Sequence, residues 1–127
     1  NAKAQGIAER IKFFQGDLLE PLEGQRVRYL VSNPPYISDR EWQDVPPNVK
    51  QYEPEHALRG GVDGLHYLRL LIAQASSYLE SPGQLVLEIA ASQKLKAIQL
   101  AKRSDLTNLH VLADHQEFPR VLVADVA

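Results

Sequence analysis

The chain has 127 residues, 44% of them hydrophobic, so one globular domain with a buried core is the largest unit it can form. Its 14 basic and 16 acidic residues leave a net charge of −2, which argues against a generally basic nucleic-acid binder while leaving a local basic groove open. Cysteine is absent, which removes disulfides and thiolate chemistry, and no apolar run approaches the roughly 20 residues of a membrane span.

The chain starts at Asn1 and has no methionine, so it is expected to be cut from something longer; no signal-peptide pattern stands at its start. Residues 1–9 read as the tail of a helix ending at Gly6. Residues 11–15 (IKFFQ) are apolar and aromatic and run into Gly16 and Asp17, the pattern of a strand entering a turn. Residues 27–32 (VRYLVS) predict a second strand, stopped by Asn33-Pro34-Pro35. Residues 37–62 lack periodicity and are broken by Pro46, Pro47 and Pro54, which suggests a long functional loop or lid carrying one short helix.

From Leu65 the apolar residues Leu68, Leu71, Ile72, Ala75 and Leu79 recur at spacings of three and four, which predicts an amphipathic helix over 64–79 with Asp63 as N-cap. Ser81-Pro82-Gly83 reads as a turn and 84–90 (QLVLEIA) as a buried strand. A second helix is predicted over 92–103, with Ser92 as N-cap, Leu95, Ile98 and Ala101 inward, and Lys102 and Arg103 at its C-terminal dipole. Residues 108–113 and 120–126 are strands too close for a crossover helix, so they should pair as a hairpin and make the last strand antiparallel. The alternation predicts an α/β fold, a mostly parallel sheet flanked by helices with an antiparallel last strand.

The strongest chemical signal is Asn33-Pro34-Pro35-Tyr36, directly after a buried strand. Ligands of open parallel sheets bind at the C-terminal ends of strands. Two prolines fix the backbone there, so the Asn33 side chain and the Pro34 carbonyl point in set directions. An amide nitrogen is a poor nucleophile because its lone pair is delocalised, and it carries two hydrogens. The Asn33 side-chain oxygen and the Pro34 carbonyl can accept one each, orient the nitrogen and favour its pyramidal, more nucleophilic form. Tyr36 adds an aromatic face for a substrate side chain or a sulfonium cation. The plainer reading is a proline turn with a buried tyrosine.

Asn33–Tyr36 matches the NPPY motif of amino-methyltransferases, and the surrounding chain resembles the HemK/PrmC-type protein-(glutamine-N(5)) methyltransferases of peptide-chain release factors. The resemblance runs through Arg10-Ile11, Gly16-Asp17-Leu18-Leu19, VSNPPYI, Tyr52-Glu53-Pro54, Ala57-Leu58, Gly61, Asp63-Gly64-Leu65, Leu87-Glu88-Ile89 and Gln93. The tetrapeptide alone is shared with adenine and guanine methyltransferases; the later segments make the match far more specific. It implies a Rossmann-like class I sheet whose N-terminal strands are missing, with residues 1–127 as the C-terminal portion of a catalytic domain. It further implies methyl transfer from S-adenosyl-L-methionine, without a metal, to the glutamine amide of the release factors' GGQ motif. Cytoplasmic localisation, release factors as protein partners, and neither a membrane nor direct nucleic-acid binding go with that family. Asp17 and Leu18 would lie at the adenine end of the cofactor, Asn33 would touch cofactor and substrate, and Pro34, Pro35 and Tyr36 would complete the glutamine site.

There are departures from the family pattern. Its glycine-rich cofactor loop and ribose-holding acidic residue are not in this chain, Ala90 stands where a glycine is expected, and Gln84 stands at a second glycine position. Two other readings stay open: a nucleic-acid adenine or guanine amino-methyltransferase, and a catalytically dead fragment that acts as a binding module.

Weaker signals have plain alternatives. His56, His66, His110 and His115 show no metal-ligand spacing. Glu53 suits a catalytic carboxylate or a loop cap, Arg59-Gly60-Gly61 an anion-binding nest or a turn, and Trp42 a lid anchor or a partner contact. Glu88 ends a strand at the ligand-facing edge, where a functional and a structural role are about equally well placed. Asp17, taken alone, is a turn residue after a glycine.

Overall fold

Hydrophobic residues spaced by two on the strands and by three or four on the helices meet in one layer between them. The computed structural model describes all 127 residues. Four strands, β1 (Val27–Ser32), β2 (Leu79–Glu88), β3 (Thr107–Ala113) and β4 (Pro119–Val126), form one sheet in the order β1-β2-β4-β3. β1 and β2 are parallel, while β4 runs antiparallel to both β2 and β3. The antiparallel last strand and the closing hairpin therefore stand as the sequence predicts. Two short helices, α1 (Asp39–Asp44) and α2 (Pro47–Tyr52), fill the connection after β1; α3 (His66–Tyr78) and α4 (Lys94–Ala101) follow.

One face of the sheet carries the core. Leu30, Leu85 and Ala124 are register neighbours across β1, β2 and β4, as are Leu87 and Leu122 across β2 and β4, and all are buried. Against them pack Leu68, Leu71, Ile72 and Ala75 of α3 and Ala97 and Ala101 of α4. Each large side chain in this layer stabilises by about 1.5–3 kcal/mol relative to exposure. The opposite face is open at its edges: Tyr29 is 62% and Val31 69% exposed, and Leu112 is half-exposed.

Several boundaries differ from the sequence expectation. Residues 11–15 form no strand, and Phe13 is 79% exposed. A strand exists only through a neighbour's ladder, and no element pairs with this segment. The first residues make a helical turn, with the Gln5 amide donating to the Asn1 carbonyl at 3.0 Å, before Gly6 takes φ +66. Ser81-Pro82-Gly83 is a bulge within β2, because Val27 faces Leu79 while Tyr29 already faces Gln84. Leu95 points outward at 73% exposure, since Ala97 and Ala101 set the buried stripe of α4. Ser92 caps nothing; it lies in a 3-10 turn over Ala91–Gln93, and the Gln93 side chain accepts the Ala90 amide instead.

Asp63 acts two residues before the N-cap. Its carboxylate accepts the Leu65 amide at 3.1 Å and holds both terminal nitrogens of Arg69, while Leu65 is the capping residue. The Arg69 hydrogen bonds lower the Asp63 pKa to about 2. A carboxylate with a depressed folded pKa contributes stability that is complete above its ordinary value and lost as pH falls through the folded one. Urea midpoints followed from about pH 5 to about pH 2 should fall more steeply for the native chain than for Asp63→Asn. Parallel profiles would remove Asp63 from the pH dependence.

Candidate active site

β1 ends where its ladder must end. Pro34 and Pro35 have no N–H to donate, so the chain leaves the sheet at the C-terminal edge of a parallel pair. Pro34 is buried, Asn33 is exposed, and Pro35, Tyr36 and Ile37 are half-buried. Neither the Asn33 side chain nor the Pro34 carbonyl takes a hydrogen bond within the chain, so both acceptors stay available. A pocket of about 110 Å³ opens here, lined by Asn33 through Ile37 with Ala57 and Leu58. Larger hollows lie elsewhere, such as one of about 320 Å³ beside Gly83 and Asp125. That hollow is at the opposite, N-terminal end of β1, whereas ligands of parallel sheets sit at the C-terminal ends.

The turn is braced from behind. The Ile37 amide donates to the Leu58 carbonyl at 3.0 Å, and the Gly60 amide to the Ile37 carbonyl at 2.8 Å. Gly60 and Gly64 permit this approach. A Cβ on Gly60 would stand 2.7 Å from the Pro35 carbonyl oxygen, and one on Gly64 2.3 Å from that of Tyr36. The Gln93 side chain completes the brace by donating to the Tyr36 and Gly64 carbonyls at 3.1 and 3.0 Å.

The 37–62 excursion has more structure than the sequence suggests. Ser38 and Glu41 form a reciprocal capping box at the start of α1, a signal present in the sequence as Ser-x-x-Glu. The Ser38 hydrogen bonds hold the Glu41 carboxyl below its ordinary pKa. Arg59 reaches back to Asp39 at 2.8 Å and also holds Glu55; these two carboxylates raise its own pKa. Lys50 and Arg59 both sit over the Trp42 ring, 5.5 and 5.7 Å from its centre, so Trp42 anchors the excursion internally. Surface ion pairs of this kind contribute at most about 1 kcal/mol each. The backbone bonds at Ile37 and Gly60 therefore do more to close the base of the excursion.

The other sequence candidates are placed as follows. Asp17 is exposed and its side chain takes no hydrogen bond within the chain; its backbone carbonyl accepts the Glu20 amide at 3.0 Å. Leu18 adopts a left-handed φ of 44 and packs on the core. Neither lines the pocket at Asn33. Glu53 is the C-cap of α2, which favours its role as a loop cap. Arg59 is committed to carboxylates and the Gly60 amide to a carbonyl, so no anion nest forms. No cluster of histidines and carboxylates has metal-binding geometry. Ala90 adopts φ −69, a conformation that needs no glycine, and Gln84 is an ordinary strand residue bonded to Asp125. The bracing role of Gln93 has no sequence signature, because its partners are backbone carbonyls distant along the chain.

No family model matches the chain. Among curated proteins it is similar to release factor glutamine methyltransferases. That of Geobacter sulfurreducens is 36% identical over 122 residues, covering 96% of this chain and 42% of the relative. That of Moorella thermoacetica is 38% identical over 125 residues, 98% of this chain and 44% of the relative. That of Bacillus cereus is 40% identical over 95 residues, 73% of this chain and 33% of the relative. The chain thus spans less than half the length of these relatives.

Gly64 tests the brace. At φ +74, with the Tyr36 carbonyl oxygen 2.3 Å from where a Cβ would sit, Gly64→Ala must both strain its backbone and push the turn away. It should lower unfolding stability by about 1–3 kcal/mol, read from the urea midpoint. An unchanged midpoint would mean that the 60–64 segment does not support the turn.

Proposed function

We propose, from its similarity over nearly all of its length to release factor glutamine methyltransferases, that the chain belongs to that family and that the complete protein methylates the glutamine side-chain amide in the GGQ motif of peptide-chain release factors, with S-adenosyl-L-methionine as methyl donor. Residues 1–127 are then the C-terminal portion of its catalytic domain, working in the cytoplasm where translation ends.

One observation carries this reading: two uncommitted acceptors, the Asn33 side-chain oxygen and the Pro34 carbonyl, on a braced turn beside a small pocket. A primary amide offers two hydrogens to such a pair. Accepting both fixes the nitrogen and favours the pyramidal form whose lone pair is free to attack. The braced backbone sets the Pro34 carbonyl before substrate arrives, so little reorganisation of that acceptor is needed in the transition state. Tyr36 lines the same pocket and gives the glutamine side chain an apolar wall, with Pro35 beside it.

The donor supplies an electrophilic methyl group on a sulfonium. On this reading the residues here would hold one end of it. Asp17 presents an exposed carboxylate with no partner in the chain, suited to accept from an exocyclic amine, with Leu18 next to it. Asn33 would touch both donor and substrate on this reading. The other contacts would come from the part of the complete protein outside these residues.

Incubating the complete protein with S-adenosylmethionine and a release factor should place one methyl group on the GGQ glutamine, read by peptide mass spectrometry. Transfer to DNA or RNA adenine or guanine instead, or to nothing, would overturn the reading. In the same assay Asn33→Ala should lower kcat by about a hundredfold or more, as expected for loss of a transition-state hydrogen bond, with folding unchanged. Tyr36→Phe should retain more activity than Tyr36→Ala, because the ring face provides the wall. Equal losses for the two would assign the role to the hydroxyl.

A further inference from the structure

Gln93 is 7% exposed, and it is the one polar or charged side chain buried in the chain. Its carboxamide reaches three backbone groups from three parts of the fold. Nε2 donates to the Tyr36 carbonyl at 3.1 Å and to the Gly64 carbonyl at 3.0 Å, while Oε1 accepts from the Ala90 amide at 3.2 Å. The partners settle the orientation of the amide. Two carbonyls require a donor on one side and an N–H requires an acceptor on the other, so a flipped amide would mismatch every contact.

The consequence for the site follows from the torsions of the turn. Upstream, β1 is held by its ladder to β2 as far as Ser32 opposite Leu87. The rings of Pro34 and Pro35 fix both of their φ angles. Downstream, Gln93 holds the Tyr36 carbonyl, and Leu58 and Gly60 hold Ile37. With both ends anchored and the proline torsions fixed, the Pro34 carbonyl and the backbone that carries the Asn33 side chain have little freedom left. Without the bond at Tyr36, the downstream anchor starts one residue later and the turn can rotate.

We propose that Gln93 is a positioning residue for amide methylation: it touches neither substrate nor donor, and it sets the aim of the Asn33 and Pro34 acceptors by holding the Tyr36 carbonyl. This role rests on the proposed function and adds a residue to it. The volume-conserving Gln93→Met removes all three hydrogen bonds; Gln93→Glu keeps an acceptor for Ala90 and loses both donors.

The test uses the complete protein, a release factor and S-adenosylmethionine, at a temperature where circular dichroism shows the variants folded. Both variants should lower kcat by about tenfold or more while the KM for the release factor changes by less than about threefold, because the loss is one of alignment in the transition state. In an Asn33→Ala background, Gln93→Met should cost less than about threefold further, since residues acting through one feature are not additive. Amide exchange at Ile37 should quicken in both variants. Wild-type kcat in the folded variants, or a full multiplicative loss in the double variant, would overturn the role. Failure of both variants to fold would overturn it too, because the side chain would then hold the domain rather than the turn. The wild-type control separates the two claims: an inactive wild type counts against the proposed function and removes this role with it, whereas an active wild type with equally active variants counts against Gln93 alone.

Discussion

Two prolines in succession cannot donate to a sheet, and that constraint organises the rest of this chain. β1 lies at the end of the four-stranded order, with β2 on one side. At Pro34 the chain has to leave the ladder, and it does so at the C-terminal end of a parallel pair. It then makes an excursion through α1 and α2 and comes back at Leu58–Gly64 to support the turn from behind. The glycines at 60 and 64, the closed capping box at Ser38 and the buried amide of Gln93 all serve the same few ångströms of backbone. The result is a rigid turn that keeps two polar acceptors unspent.

The division of labour between surface and interior also has a physical order. The charged contacts of the excursion, Arg59 with Asp39 and Glu55 and the two cations over Trp42, are substantially solvent-exposed, so water screens them. They trim the excursion without defining it. The direction of the turn is set instead by backbone bonds and by a carboxamide whose burial makes each unmet partner costly. On the far side of the sheet, Tyr29 and Val31 stay open to solvent on a strand with an unpaired edge, a pattern expected when a longer protein supplies further cover. The curated relatives, of which this chain spans less than half, are long enough to do so.

How much of this was legible depends on where each signal comes from. Residues 27–32 and 120–126 read as strands because their β-rich runs have sharp stops, and the hairpin followed from the short gap before the last strand. The stripe from Leu65 to Leu79 gave α3 to within about two residues, the usual slack at helix ends. Residues 11–15 look equally strand-like, yet a strand is made by its neighbour, and none pairs with them. The pattern puts Leu95 inside because the stripe of a short helix can be drawn in two phases; packing at Ala97 and Ala101 selects the other. At the site, Asn33 through Tyr36 were legible as a unit because they are contiguous and chemically unusual. Gln93 was visible as part of a resemblance, but its role was not, since its partners are backbone carbonyls 57 and 29 residues away. Ser38 and Glu41 carried a readable capping signal that the proline-rich composition around them obscured.

The central claim is that a planar amide nitrogen docks between the Asn33 side-chain oxygen and the Pro34 carbonyl. The most direct measurement is a crystal structure of the complete protein with S-adenosylhomocysteine and a glutamine-bearing GGQ peptide. The account predicts the glutamine side-chain nitrogen within hydrogen-bond reach of both oxygens, about 2.7–3.2 Å, with Tyr36 against the side chain. A glutamine amide seated elsewhere, or bound with its oxygen rather than its nitrogen toward Asn33 and Pro34, would contradict it.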